Sequence, residues 1–145
     1  MADNHIKSIL KGSCLCREVE YEIKGGVGNI SLCHCSMCQK AHGAPFGTYA
    51  SVAWDAFSFT KGANLVREFR SSEDVTRTFC SVCGSNLQFI GSNKLGFGLA
   101  VGSLDSDPTR RPTEQIWVKD KAVWWNLHDE PPFFQTYPPK RRNNL

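Results

Sequence analysis

The 145-residue sequence predicts a mainly β fold, and three observations carry that prediction. Apolar and polar residues alternate with period two in short stretches, and turn residues separate those stretches every ten or so positions. Only one stretch carries a helix signal. Seven cysteines fall into three tight groups, with the one- and two-residue gaps by which a single turn presents two sulfurs together.

In chain order, Val19, Tyr21 and Ile23 alternate with Glu20 and Glu22, the pattern of a half-buried strand over 19–23. Gly25, Gly26 and Gly28 follow as a turn. Residues 48–52 read as a second strand. Residues 57–59 and 65–69 read as a strand pair joined by a turn through Lys61, Gly62, Ala63 and Asn64. A strand over 76–79 runs into Cys80, and another over 87–90 leaves Cys83. Residues 97–101 and 115–118 are further strands, and 123–125 is the last. The helix is predicted over 36–42, ending at Gly43 as a C-terminal cap. Pro108, Pro112, Pro131 and Pro132 mark the C-terminal third as loop-rich.

Composition narrows the function classes. The chain is 41% hydrophobic and 21% charged, an ordinary globular balance. Its length suits one domain, expected over 12–137, between an N-terminal tail (1–11) and a C-terminal tail (138–145). The C-terminal tail carries Lys140, Arg141 and Arg142, expected to be solvated. No apolar run reaches the ~18–20 residues of a membrane span. The polar start lacks the apolar core of a secretory signal, so a cytoplasmic protein is expected. No repeat and no phosphate-binding glycine loop is present, so nucleotide chemistry has no support.

The cysteines are the informative residues. Their number is odd, the expected compartment is reducing, and their spacing is clustered, so metal binding is favoured over disulfides. They divide into four and three. Cys14 and Cys16, with Cys80 and Cys83, make a closed four-cysteine site that clamps the start of the domain to its middle and contributes directly to folding. Cys33, Cys35 and Cys38 make a second site with three thiolates and an open position. His42, four residues after Cys38, could instead close that site as its fourth ligand, whereas His34 should point away between two ligands. A single ion, with the trio as free thiols, is the remaining alternative. All-thiolate sites suit Zn2+, two per chain, and no iron–sulfur cluster spacing is present. Seven thiolates with two divalent ions bring the formal +3 to about zero, so the basic apo charge does not argue for nucleic acid.

Other residues read as structural. Ser36 and Ser103 lack a partner that would mark a nucleophile, and Asp105 could be a site carboxylate but reads first as a turn former. Phe46, Trp54, Phe57, Phe59, Trp117, Trp124 and Trp125 are expected mostly in the core, one or two of them walling a pocket. Lys40, Arg67 and Arg77 could hold a carboxylate, but each alone reads first as a surface residue.

Taken together, Gly12-Ser13-Cys14-Leu15-Cys16, Cys33-His34-Cys35-Ser36-Met37-Cys38, Gly43-Ala44-Pro45-Phe46, Phe79-Cys80-Ser81-Val82-Cys83-Gly84-Ser85, Gly102-Ser103-Leu104-Asp105 and Ile116-Trp117 closely resemble the glutathione-dependent formaldehyde-activating enzyme family. This family includes the centromere-protein-V-like proteins. The resemblance covers about residues 12–130. It implies a β-tent, Mss-like fold of small twisted antiparallel sheets stapled by zinc. It implies a structural zinc on Cys14, Cys16, Cys80 and Cys83 and a catalytic zinc on Cys33, Cys35 and Cys38. The activity it implies is that of a carbon–sulfur lyase, reversibly joining a thiol such as glutathione to formaldehyde or a small aldehyde. No nucleic acid or membrane partner is implied, and the oligomeric state is left open. Many family members carry two basic residues where this chain has Gln39-Lys40, and His-Ile where it has Gln115-Ile116. The competing readings are a zinc-stapled binding module and a zinc enzyme for a different small molecule.

Overall fold

The computed structural model of the protein describes residues 8–137. The basic C-terminal tail and residues 1–7 of the N-terminal tail lie outside them. Among the described residues, ten strands and one α-helix follow in the order β1 (Ile9–Ser13), β2 (Glu20–Lys24), β3 (Ile30–Cys33), α1 (Ser36–His42), β4 (Gly47–Ala53), β5 (Phe57–Lys61), β6 (Val66–Arg70), β7 (Thr76–Cys80), β8 (Asn86–Ile90), β9 (Gly96–Ala100) and β10 (Glu114–Ile116). The mainly β prediction holds.

The strands form two sheets. One has the order β1-β2-β5, and the larger has the order β10-β3-β4-β9-β8-β7-β6. Pairing is antiparallel throughout, except that β10 runs parallel to β3 with Ile116 opposite Cys33. The alternation read over 19–23 sets the first sheet's inner face: Val19, Tyr21 and Ile23 are buried while Glu20 and Glu22 lie toward the outside. These side chains meet Ala50, Val52, Leu87, Phe97 and Leu99 of the larger sheet in one apolar cluster. Phe57 packs edge-on to Phe97 at 5.0 Å between ring centres, tying β5 to β9.

Some local expectations change. Residues 57–59 and 65–69 do form strands but do not pair with each other. β5 pairs with β2, and β6 pairs with β7 in the other sheet. Alternation specifies a strand and its faces, whereas partners are chosen by the whole packing. Residues 123–125 form a turn instead of a strand, with Val123 97% and Trp124 67% exposed, so their β-propensity finds no neighbouring strand. β10 stops at Ile116 because Trp117 enters the left-handed region at φ 57° and a short 3-10 turn follows over Val118–Asp120. β1 and β3 were not anticipated, and β1 starts at Ile9, ahead of the expected boundary at 12. Trp54 is also exposed rather than in the core, and Trp117, likewise exposed, helps to wall a cleft as expected of one or two of these aromatics.

α1 matches its predicted bounds. Cys35 is its N-cap, extended in backbone, with its sulfur accepting the Cys38 N–H. Gly43 closes the other end at φ 56°, and its N–H donates to the Gln39 carbonyl.

Candidate metal centres

The fold brings the seven cysteines into two groups, Cys14/Cys16/Cys80/Cys83 and Cys33/Cys35/Cys38, with the sulfurs of each group all within 4.8 Å of one another. This is the four-and-three division expected from spacing. Four sulfurs about 2.3 Å from one tetrahedral ion lie about 3.8 Å apart. Cys14 and Cys16 sulfurs are 3.5 Å apart, and Cys16 and Cys80 sulfurs 3.9 Å. The donor set and its spacing therefore fit zinc.

Two tight turns build the first group. After β1, the Arg17 N–H donates to the Cys14 carbonyl at 3.0 Å, and the Val19 N–H donates to the Cys14 sulfur at 3.3 Å. After β7, Gly84 at φ 77° donates its N–H to the Cys80 carbonyl at 2.8 Å. Ser85 joins the turns: its hydroxyl accepts the Leu15 N–H at 2.9 Å and lies 3.3 Å from the Cys83 sulfur. Burial opposes ionisation of Cys83, but contacts from the Ser85 hydroxyl and amide and from Cys16 bring it down to about 5. Cys16 is pushed up to about 12: the Glu18 amide lowers it, but desolvation and the neighbouring thiols outweigh that.

The trio sits where β3 becomes α1. Cys33 ends the strand, Cys35 caps the helix, and Cys38 lies in its first turn, so a strand end and one turn of helix converge three sulfurs. Two glutamines brace this connection. Gln39 Nε2 donates to the carbonyls of His34 (2.6 Å) and Asp120 (2.9 Å), and Gln115 Oε1 meets His34 Nε2 at 2.8 Å. These are positions where the chain departs from many family members, and both side chains are occupied with the scaffold. His34 is fully buried and turned to Gln115, and His42 meets the Tyr49 hydroxyl through Nε2 at 2.7 Å. Neither joins the sulfur group, so among the described residues the trio has no fourth protein ligand.

Arg77, expected at the surface, is only 6% exposed. Its Nη2 lies 3.6 Å from the Cys38 sulfur, its Nη1 donates to the Tyr49 hydroxyl at 2.9 Å, and its Nε donates to the Ser71 hydroxyl at 3.1 Å. The guanidinium also stacks over Phe89, 5.1 Å from its centre. The ion pairs among the described residues use Lys11, Lys61 and Arg111, and no carboxylate pairs with Arg77. A buried cation needs a buried anion, and the one beside it is the sulfur cluster. The Cys33 contact, against the cost of burial and with help from Arg77 and Cys35, brings Cys38 down to about 5, while Cys33 is pushed well up by Cys38 and by burial. Arg77 pairs with Phe89 of β8, a neighbour that the sequence did not announce. Tyr49 carried no signal in the sequence.

The trio opens into a cleft of about 420 Å3 with Met37, Val75, Phe89, Ile116 and Trp117 among its apolar lining and Tyr49, Arg77, Asn29, Asp120 and three serines, Ser31, Ser36 and Ser51, among its polar one. A second cleft of about 620 Å3 lies beside the first centre and is bordered by Cys14, His42, Phe46 and Asp105. A third cleft, about 930 Å3, runs along the glycine-rich segments around Gly26 and Gly96 and has no cysteine in its wall. Asp105 accepts from the Ser13 hydroxyl at 2.7 Å and holds its loop to β1, in keeping with its reading as a turn residue. Arg67 and Lys40 are exposed and far less constrained than Arg77.

This is a two-sheet β protein that brings four cysteines together at a junction of the sheets and three in the wall of a cleft. The chain belongs to the glutathione-dependent formaldehyde-activating enzyme family, whose model matches residues 9–120. A crystal structure of a Rhodobacter sphaeroides protein has the same fold, with a TM-score of 0.56 at 21% identity over 72% of this chain and 98% of that one. No curated protein matches the chain significantly. No helix among the described residues is long and apolar enough to cross a membrane.

Proposed function

We propose that this protein is a zinc-dependent carbon–sulfur lyase that reversibly adds a thiol, glutathione in the first instance, to formaldehyde or a small aldehyde. The observation that carries the proposal is the cleft itself: three cysteine sulfurs in its wall, no fourth protein ligand among the described residues, and a buried arginine against Cys38. Cys33, Cys35 and Cys38 would hold the catalytic zinc, and Cys14, Cys16, Cys80 and Cys83 the structural one. A zinc ion held at the trio would supply a Lewis acid that lowers the pKa of an incoming thiol and favours its sulfur.

The chain's own residues do the rest. Three thiolates give a divalent site net −1, and Arg77 offsets that charge from inside the wall. The apolar wall removes water from the reacting sulfur and carbonyl, which strengthens every charge interaction there. The strand–helix connection braced by Gln39 and Gln115 fixes the sulfurs and so supplies orientation. Tightly grouped cysteines suit a reducing compartment, so we place the protein in the cytoplasm.

The test is a glutathione titration of protein reconstituted with two cobalt ions per chain. A shift of the visible d–d bands saturating at one glutathione per chain is the expected result. Unchanged bands at millimolar glutathione would remove glutathione as the thiol.

A further inference from the structure

Three hydrogen-bonded groups run from the trio cleft to the neighbouring cleft, and the reading above leaves two of them unused. Tyr49 stands in the wall of the trio cleft and His42 in the wall of the second one. Between them the Tyr49 hydroxyl meets His42 Nε2 at 2.7 Å and accepts from Arg77 Nη1 at 2.9 Å. Because an arginine can only donate, the Tyr49 proton is left free to point at His42, and the relay proposed below takes Nε2 as its acceptor. Burial, and then the charge of Arg77, lowers the basicity of His42, which keeps the imidazole neutral and ready to accept. The two rings pack edge-on at 5.2 Å, and Gly47 opposite them has no side chain. A Cβ there would lie 2.8 Å from His42 Cδ2 and 2.9 Å from Tyr49 Cε2. The chain has left room for this pair to meet.

We propose that Tyr49 is the proton-transfer group of the reaction and that His42 is its relay. The proposal rests on the thiol-addition reading. The thiol proton passes to the Tyr49 oxygen as the Tyr49 proton passes to His42 Nε2. The sulfur electron pair then forms the C–S bond, and the carbonyl π pair moves to oxygen. That oxygen takes a proton from Tyr49, which is refilled from His42. One proton has moved from sulfur to oxygen, and both side chains are restored. Reversal of the same path cleaves the adduct.

The test combines turnover, rescue and spectroscopy on the zinc-loaded protein. Tyr49→Phe keeps the ring and should lower kcat about 100-fold, the usual scale of acid–base assistance, with zinc content unchanged. His42→Ala should lower kcat about tenfold or more, and added imidazole, entering through the second cleft, should restore it. A residue that only packs would not be rescued. Nitrogen-15 NMR of the wild-type imidazole should show Nε2 unprotonated and Nδ1 protonated, and Tyr49→Phe should shift the Nε2 signal. Full activity in His42→Ala, a loss that imidazole does not restore in a folded variant, or a protonated Nε2 would each overturn the relay. A wild-type protein that forms no adduct from any thiol and aldehyde would overturn the thiol-addition reading and the relay with it.

Discussion

Arg77 is the residue whose environment says most about the trio. Its guanidinium is buried, lies against Cys38, and has no carboxylate partner among the described residues. A buried charge is tolerated when its partner is also charged, so the site depends on the sulfurs being ionised. Replacing Arg77 by Met should leave the thiolates without their counter-charge and weaken zinc at the trio about 10–100-fold, the range for residues that support metal ligands. Competition with a chromophoric chelator would measure this, and an unchanged affinity would leave Arg77 as packing alone. His42 gives a pH prediction. Its folded pKa lies below the ordinary 6.5, through burial first and Arg77 second. The unfolded chain therefore takes up this proton at higher pH than the folded one. The contribution of His42 to stability is complete above 6.5 and is lost as pH falls through the lower folded value. His42→Gln should flatten that part of the stability–pH curve, and a curve of unchanged slope would contradict this.

At the scale of the elements, α1 was legible because its end is marked locally. Gly43 suits the left-handed cap, whereas the Cys35 sulfur at the other end is a cap that only the fold reveals. Gly43→Ala isolates the end signal. A Cβ there meets nothing within 4 Å, so its cost is purely that of the left-handed backbone, about 1 kcal/mol. A lower unfolding midpoint with unchanged zinc content is expected, and an unchanged midpoint would mean that the cap is not strained. The strands were legible as strands but not as partners. The alternation in β2 shows which face is buried, yet nothing in 57–59 announces that β5 will leave 65–69 for β2. The turn at 123–125 shows the converse, since Trp and Val favour strands only where another strand is present. Of the site, all seven sulfurs were legible, because metal geometry is written in short spacings. Arg77 and Tyr49 were not. They reach the trio from β7 and β4, elements that come together only in the folded sheet.

For the whole molecule, the two centres have different positions and so different consequences. Cys14 follows β1 of the small sheet and Cys80 ends β7 of the large one, and both belong to the apolar cluster shared by the sheets. An ion there would close a long loop and join the two halves of the core, which would make its binding energy folding energy. The trio lies within one connection, β3 to α1, and its loss removes no link between the sheets. The central claim is this division: four cysteines for the fold and three for the chemistry. It is tested most directly by comparing Cys35→Ser with Cys80→Ser for zinc content, thermal unfolding and adduct formation. Cys35→Ser should lose one zinc and all turnover while unfolding cooperatively near the wild-type temperature. Cys80→Ser should lose stability on the order of the whole domain's, about 5–15 kcal/mol. A Cys35→Ser protein that unfolds as readily as Cys80→Ser, or that retains wild-type turnover, would contradict the account.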